Sequence, residues 1–122
     1  MEIEKAKESL QAAELCYAHK LYNSTANRAY YAMFQAAVVA LEVGGAKAVG
    51  ARWSHARVQS SFSSELIRKR KIYSRSLARL LTDALQIRHE ADYTTIEISK
   101  RRANKVLRWA RDFVAQVEKV VT

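Results

Sequence analysis

Residues 26–41 read ANRAYYAMFQAAVVAL, and this stretch decides the fold class. It holds neither proline nor glycine and is rich in alanine, the residue with the highest helix propensity. Ala29, Ala32, Ala36 and Ala40 recur at three- and four-residue steps, which lines up small side chains along one helix face. A neighbouring helix can approach closely there. Tyr30, Tyr31, Met33, Phe34, Ala37, Val38 and Leu41 put apolar groups on the other faces, so this is expected to be the central, most buried helix. Asn23 or Ser24 is expected to cap its start by accepting from free first-turn amides. Gly44-Gly45 ends it, because glycine accepts the left-handed conformation that closes a helix.

The flanks read the same way. Ile3, Ala6, Leu10, Ala13 and Tyr17 share a face and predict a first helix from near Ile3 to about Leu21. The segment 44–50 holds all three glycines and is expected to be a mobile loop. A third helix is predicted from about Trp53 to Ile67, with His55, Val58, Phe62 and Leu66 on one face, followed by the basic connector Arg68-Lys69-Arg70-Lys71. A fourth, from about Ser74 to Ala91, is expected to bury Leu77, Leu80, Leu81, Ala84 and Leu85. The fifth ends near Val121 and carries Ala103, Val106, Leu107, Ala110, Phe113, Val114 and Val117 on one stripe. Its start is open between a Thr94–Glu97 capping box and a cap at Ser99. The second choice crowds Lys100, Arg101 and Arg102 into the first turn, where positive charge opposes the helix dipole and an anion would relieve it.

With no proline and all three glycines between 44 and 50, the chain lacks the regularly spaced turns that a strand-rich fold needs, and such a fold is excluded. The expectation is one all-α domain over residues 1–122, an up-and-down bundle of about five helices. No apolar run approaches the ~18 residues of a membrane span, and residues 1–5 lack the layout of a secretory signal. A single cysteine, Cys16, cannot close an intramolecular disulfide, so a cytoplasmic setting is expected. The net charge of +9 is uneven: residues 1–44 sum to −1 and residues 45–122 to +10. That asymmetry marks either a surface that meets phosphate or a solvated face of a basic protein.

Arg88 stands where the pattern of the fourth helix calls for an apolar residue, and a buried guanidinium is costly unless paired. Asp92 lies one turn on and Tyr93 beside it. The group either fixes the helix end or holds an arginine ready for phosphate. His55 is a second polar residue on an apolar face, and Arg28 and Tyr31 form a third such case on the central helix. Each is a satisfied core group or part of a site. Lys100, Arg101 and Arg102 are candidates for phosphate binding. Cys16 and the scattered His19, His55 and His89 have no zinc spacing, and neither a phosphate-binding glycine loop nor a Gly-x-Ser-x-Gly turn occurs. No metal or cofactor is therefore expected.

Residues 26–37 resemble the RAYYAMFHAA signature of HEPN-domain proteins. Residues 54–62, SHARVQSSF, look like that family's SHSGVxxxF segment, and residues 88–93, RHEADY, are similar to its RxxADY motif. The resemblance runs through most of the chain. It implies a helical bundle that forms a two-fold homodimer. It also implies either of two roles: a module encoded beside a minimal nucleotidyltransferase as a toxin–antitoxin pair, or a metal-independent ribonuclease. The ribonucleases carry an arginine followed four to six residues later by histidine, and here the spacings differ. Arg52 precedes His55 by three, Arg88 touches His89, and Arg79 precedes His89 by ten. The expectation is thus a non-catalytic dimeric module with a nucleotidyltransferase partner and nucleotide or RNA as ligand. The alternative is a divergent ribonuclease using Arg88 with His55 or His89.

Overall fold

The computed structural model describes residues 2–46 and 53–122. The helices are α1 (Ile3–Ala18), α2 (Tyr22–Val43), α3 (His55–Ser61), α4 (Arg75–Tyr93) and α5 (Lys100–Val121). α3 runs on into a π-helical segment, Phe62–Lys69, so five helical rods make the expected all-α bundle. Among the described residues there is no strand, and no helix is long and apolar enough to cross a membrane.

α2 is the central rod. Twelve of its residues are buried, from Thr25 to Leu41, and it packs against all the other helices. Its only exposed large apolar side chain is Val43, at its last position. Apolar groups stand on most faces of α2. The chain's own helices cover that surface, so hydrophobic burial of α2 requires no partner.

α1 and α5 run antiparallel, bridged on their outer faces by Lys7–Glu118 and Arg111–Glu14 at 2.8 Å each. α4 opposes α2: Asn27 meets Asp92, and Tyr31 meets Arg88. α3 and its π-helical continuation instead run with α2, the His55 ring 4.9 Å from Phe34 and Leu66 of the continuation close to Gly44. In the π-helical segment the wider turn keeps Phe62, Leu66 and Ile67 all buried. Phe62 there stacks between Tyr73 and Phe113, with ring centroids 5.3 and 5.5 Å away.

Several expected boundaries shift. α1 stops at Ala18 rather than Leu21, and Lys20 takes a left-handed φ of 61° to turn the chain. Neither Asn23 nor Ser24 caps α2. The helix starts at Tyr22, and the Asn23 carboxamide oxygen instead accepts from the Ile98 backbone N–H at 2.8 Å. α3 begins at His55, two residues after Trp53, with Ser54 accepting from the Arg57 N–H. α4 extends to Tyr93. Leu80 and Leu85 are half-buried rather than core, while Ile87 is buried. Gly45 has the left-handed φ of 89° that closes α2. Residues 47–50 of the expected loop, and Arg52, lie outside the described residues.

Candidate functional site

The antiparallel contact of α2 and α4 sets two helical pairs face to face. Asn27 and Tyr31 are one turn apart on α2, and Arg88 and Asp92 one turn apart on α4. The Asn27 Nδ2 donates to Asp92 Oδ2 at 2.7 Å. The Arg88 Nε lies 2.9 Å from the same oxygen, and its Nη2 donates to Tyr31 Oη and Tyr93 Oη at 3.3 Å each. The Arg88 side chain is 12% exposed. Its Nε–H is buried and not aimed at Asp92, so that contact is an ion pair rather than a formed hydrogen bond.

Arg28 joins from α2. Its Nε and Nη2 both donate to Asn27 Oδ1, at 2.9 and 2.8 Å, and its guanidinium carbon lies 4.9 Å from the Tyr31 ring centre. The Arg88 guanidinium carbon is 5.4 Å from the same ring and 5.2 Å from that of Tyr93. Two arginines therefore flank one tyrosine, which attracts both through its ring quadrupole. Among the described residues Asp92 is the one carboxylate this cluster contacts, so the cluster keeps a net positive charge.

His55 forms the wall. Its Nδ1 and the Tyr30 hydroxyl are 2.7 Å apart, and its ring packs against Tyr30, Phe34 and Tyr31. Burial lowers the His55 pKa, and the neighbouring Arg88 charge lowers it further. The imidazole is thus neutral at pH 7, and its Nδ1 shares one hydrogen bond with the Tyr30 O–H, the direction set by the imidazole tautomer. Burial raises the Tyr30 phenol pKa and keeps that proton in place.

The structure gathers Arg28, Tyr31, His55, Arg88, Asp92 and Tyr93, all six residues singled out from sequence, around one point. Sequence reasoning missed Asn27 and Tyr30. Asn27 was detectable as the residue one turn before Tyr31 on the face that carries the cluster, while Tyr30 read simply as core. Lys100, Arg101 and Arg102 stand apart. Ser99 caps α5, accepting from the Arg102 N–H at 3.2 Å, so the basic first turn is real. Arg102 pairs with Glu90 on α4, while Lys100 and Arg101 are exposed. Among the described residues no three His, Cys, Asp or Glu side chains converge to hold a metal ion.

This arrangement sits within a sequence match that spans nearly the whole chain: residues 2–120 match the HEPN domain. The chain belongs to the HEPN family. Two relatives of this HEPN chain come from Methanocaldococcus jannaschii, and each is named a putative toxin. The first is 31% identical over 119 residues, covering 98% of this chain and 85% of the relative. The second is 31% identical over 121 residues, covering 96% and 77%.

Proposed function

We propose that this HEPN chain is the toxin-side component of a toxin–antitoxin-like pair. In this reading it forms a two-fold dimer, works with a minimal nucleotidyltransferase partner, and takes a nucleotide or RNA phosphate at Arg88 without itself cleaving RNA. The observation that carries the reading is the charge of the cluster: two guanidiniums flank Tyr31, and the carboxylate beside them, Asp92, pairs with Arg88. Asp92, itself held by Asn27, pairs with Arg88 at the Nε edge, leaving the Nη edge with the two long phenol contacts. A phosphate offers that edge shorter, charge-assisted hydrogen bonds and can displace the phenols. The names of the two relatives support the toxin side. The dimer and the nucleotidyltransferase rest on family membership.

The placement of His55 supports binding without cleavage. Cleavage at a ribose 2′-hydroxyl needs a base that reaches the reacting group beside the arginine. His55 is engaged through Nδ1 with Tyr30 and packed among three rings. One contact favours the ribonuclease alternative: exposed His89 packs its ring 5.4 Å from Tyr93, the phenol that Arg88 also touches. The test is to incubate purified protein with mixed-length RNA in EDTA at low salt, with Arg88→Ala alongside. We expect intact RNA in both, and nucleotide or RNA binding weakened by the substitution. Cleavage by wild type that disappears in Arg88→Ala would install the ribonuclease reading instead.

A further inference from the structure

The Arg88 cluster leaves most of the positive charge of this chain unused. Residues 66–82 hold six cations, Arg68, Lys69, Arg70, Lys71, Arg75 and Arg79, and no acid. All six are exposed, and among the described residues Lys69 alone has an ion pair, with Glu65 at 3.2 Å. Arg68 and Arg75 together line two shallow depressions, of about 300 and 290 Å³, where the π-helical segment meets α4, and Lys71 joins them at the second. Like charges packed this closely repel one another, and a polyanion removes the repulsion.

The patch continues along α4. Arg75, Arg79, Thr82, Gln86, His89 and Tyr93 follow one another at steps of four, three, four, three and four residues, which places them on a single line of the helix. All six are exposed. The acids beside the line are Asp83, Glu90 and Asp92; Glu90 is already paired with Arg102, and Asp92 with Arg88. The line ends on Tyr93, 64% exposed, whose ring meets both His89 and the Arg88 guanidinium. Over 18 residues it extends roughly 27 Å.

We propose that this outward face of α4 is a track for single-stranded RNA, its backbone held by Arg68, Arg75 and Arg79 and a base stacked on Tyr93 beside Arg88. Two features favour RNA over an acidic protein. Cations spaced along a helix match a chain of regularly spaced phosphates. The exposed aromatic pair at the end offers a stacking platform, which nucleic-acid bases use and carboxylate side chains do not. The inference rests on the reading of Arg88 as a phosphate site, which it extends from one phosphate to a strand.

The experiment measures binding of a fluorescent 12-nucleotide single-stranded RNA and of a mononucleotide over a range of salt. Wild type, Arg75→Glu/Arg79→Glu and Arg88→Ala are compared, with Arg75→Gln/Arg79→Gln as a milder second variant and circular dichroism to confirm that each is folded. The track predicts that Arg75→Glu/Arg79→Glu weakens the 12-mer about tenfold or more and flattens its salt dependence by roughly 1.4 in log–log slope, at ~0.7 per lost phosphate contact. Mononucleotide binding stays unchanged in that variant, while Arg88→Ala weakens both ligands. If the α4 variants bind the 12-mer like wild type while Arg88→Ala does not, the track is wrong and the Arg88 site stands. If wild type binds neither ligand, both readings fall. Wild type that ignores the 12-mer but binds polyglutamate through Arg75 and Arg79 would mark the face as a protein-docking surface and overturn the RNA assignment.

Discussion

Asp92 sets the geometry of the Arg88 cluster, because one of its oxygens receives both Asn27 and the Arg88 charge. His55 sets its pH response. The imidazole is held neutral by burial and by Arg88, so its folded pKa lies below the ordinary value of about 6.5. A depressed histidine contributes stability that is fully present above the unfolded pKa. That contribution is lost as pH falls through the interval down to the folded pKa, since the unfolded chain takes up the proton first. We expect urea midpoints to be flat from pH 8 to 7 and to fall below about 6.5. His55→Gln, which cannot titrate, should lose less over the same interval. Equal losses in both proteins would mean that His55 is not the group responsible.

At the level of elements, both candidate starts for α5 were plausible locally, and the hydroxyls settle between them. Thr94 donates to the Glu90 carbonyl and accepts from the Ile96 N–H, so it closes α4. Ser99 accepts from Arg102 and opens α5. The basic first turn that follows gains nothing from the helix dipole, which leaves this hydroxyl as the main local support of that end. Ser99→Ala should therefore cost about 1 kcal/mol in chemical denaturation, within the usual 0.5–2 for a lost cap. An unchanged midpoint would show that the α5 start is held by the Arg102–Glu90 pair instead. The missed start of α2 has a related cause. Asn23 has the right chemistry for a cap, but its oxygen serves an amide 75 residues away.

At the level of the whole molecule, the aromatic stack of Phe113, Phe62 and Tyr73 ties α5 to the π-helical segment and to the turn before α4. Phe113 and Phe62 are fully buried, and burial pushes the Tyr73 phenol up to about 12. Phe113→Ala removes the middle of the core from the last helix. We expect a loss of about 3–5 kcal/mol by denaturant titration, a large part of the 5–15 typical of a domain. A loss below about 1.5 kcal/mol would mean that the neighbouring helices collapse readily into the space, as a loosely packed core can. The direction of α3 and its π-helical continuation also belongs to this scale: they run alongside α2, which brings His55 to the Arg88 cluster at one end and Leu66 to Gly44 at the other.

The sequence by itself determined the helices and their buried faces. Apolar spacing is a local property, and the stripes of α2 and α5 face inward as the three- and four-residue steps require. It also marked Arg88, His55, Arg28 and Tyr31 as polar groups out of place on apolar faces. Whether they meet was decided only by tertiary structure. Asn27 and Asp92 are 65 residues apart, Tyr31 and Arg88 57, and Tyr30 and His55 25. Periodicity shows which way a side chain points from its own helix but not what stands opposite. The antiparallel register of α2 on α4 supplies that, and it arises from close packing of the entire core.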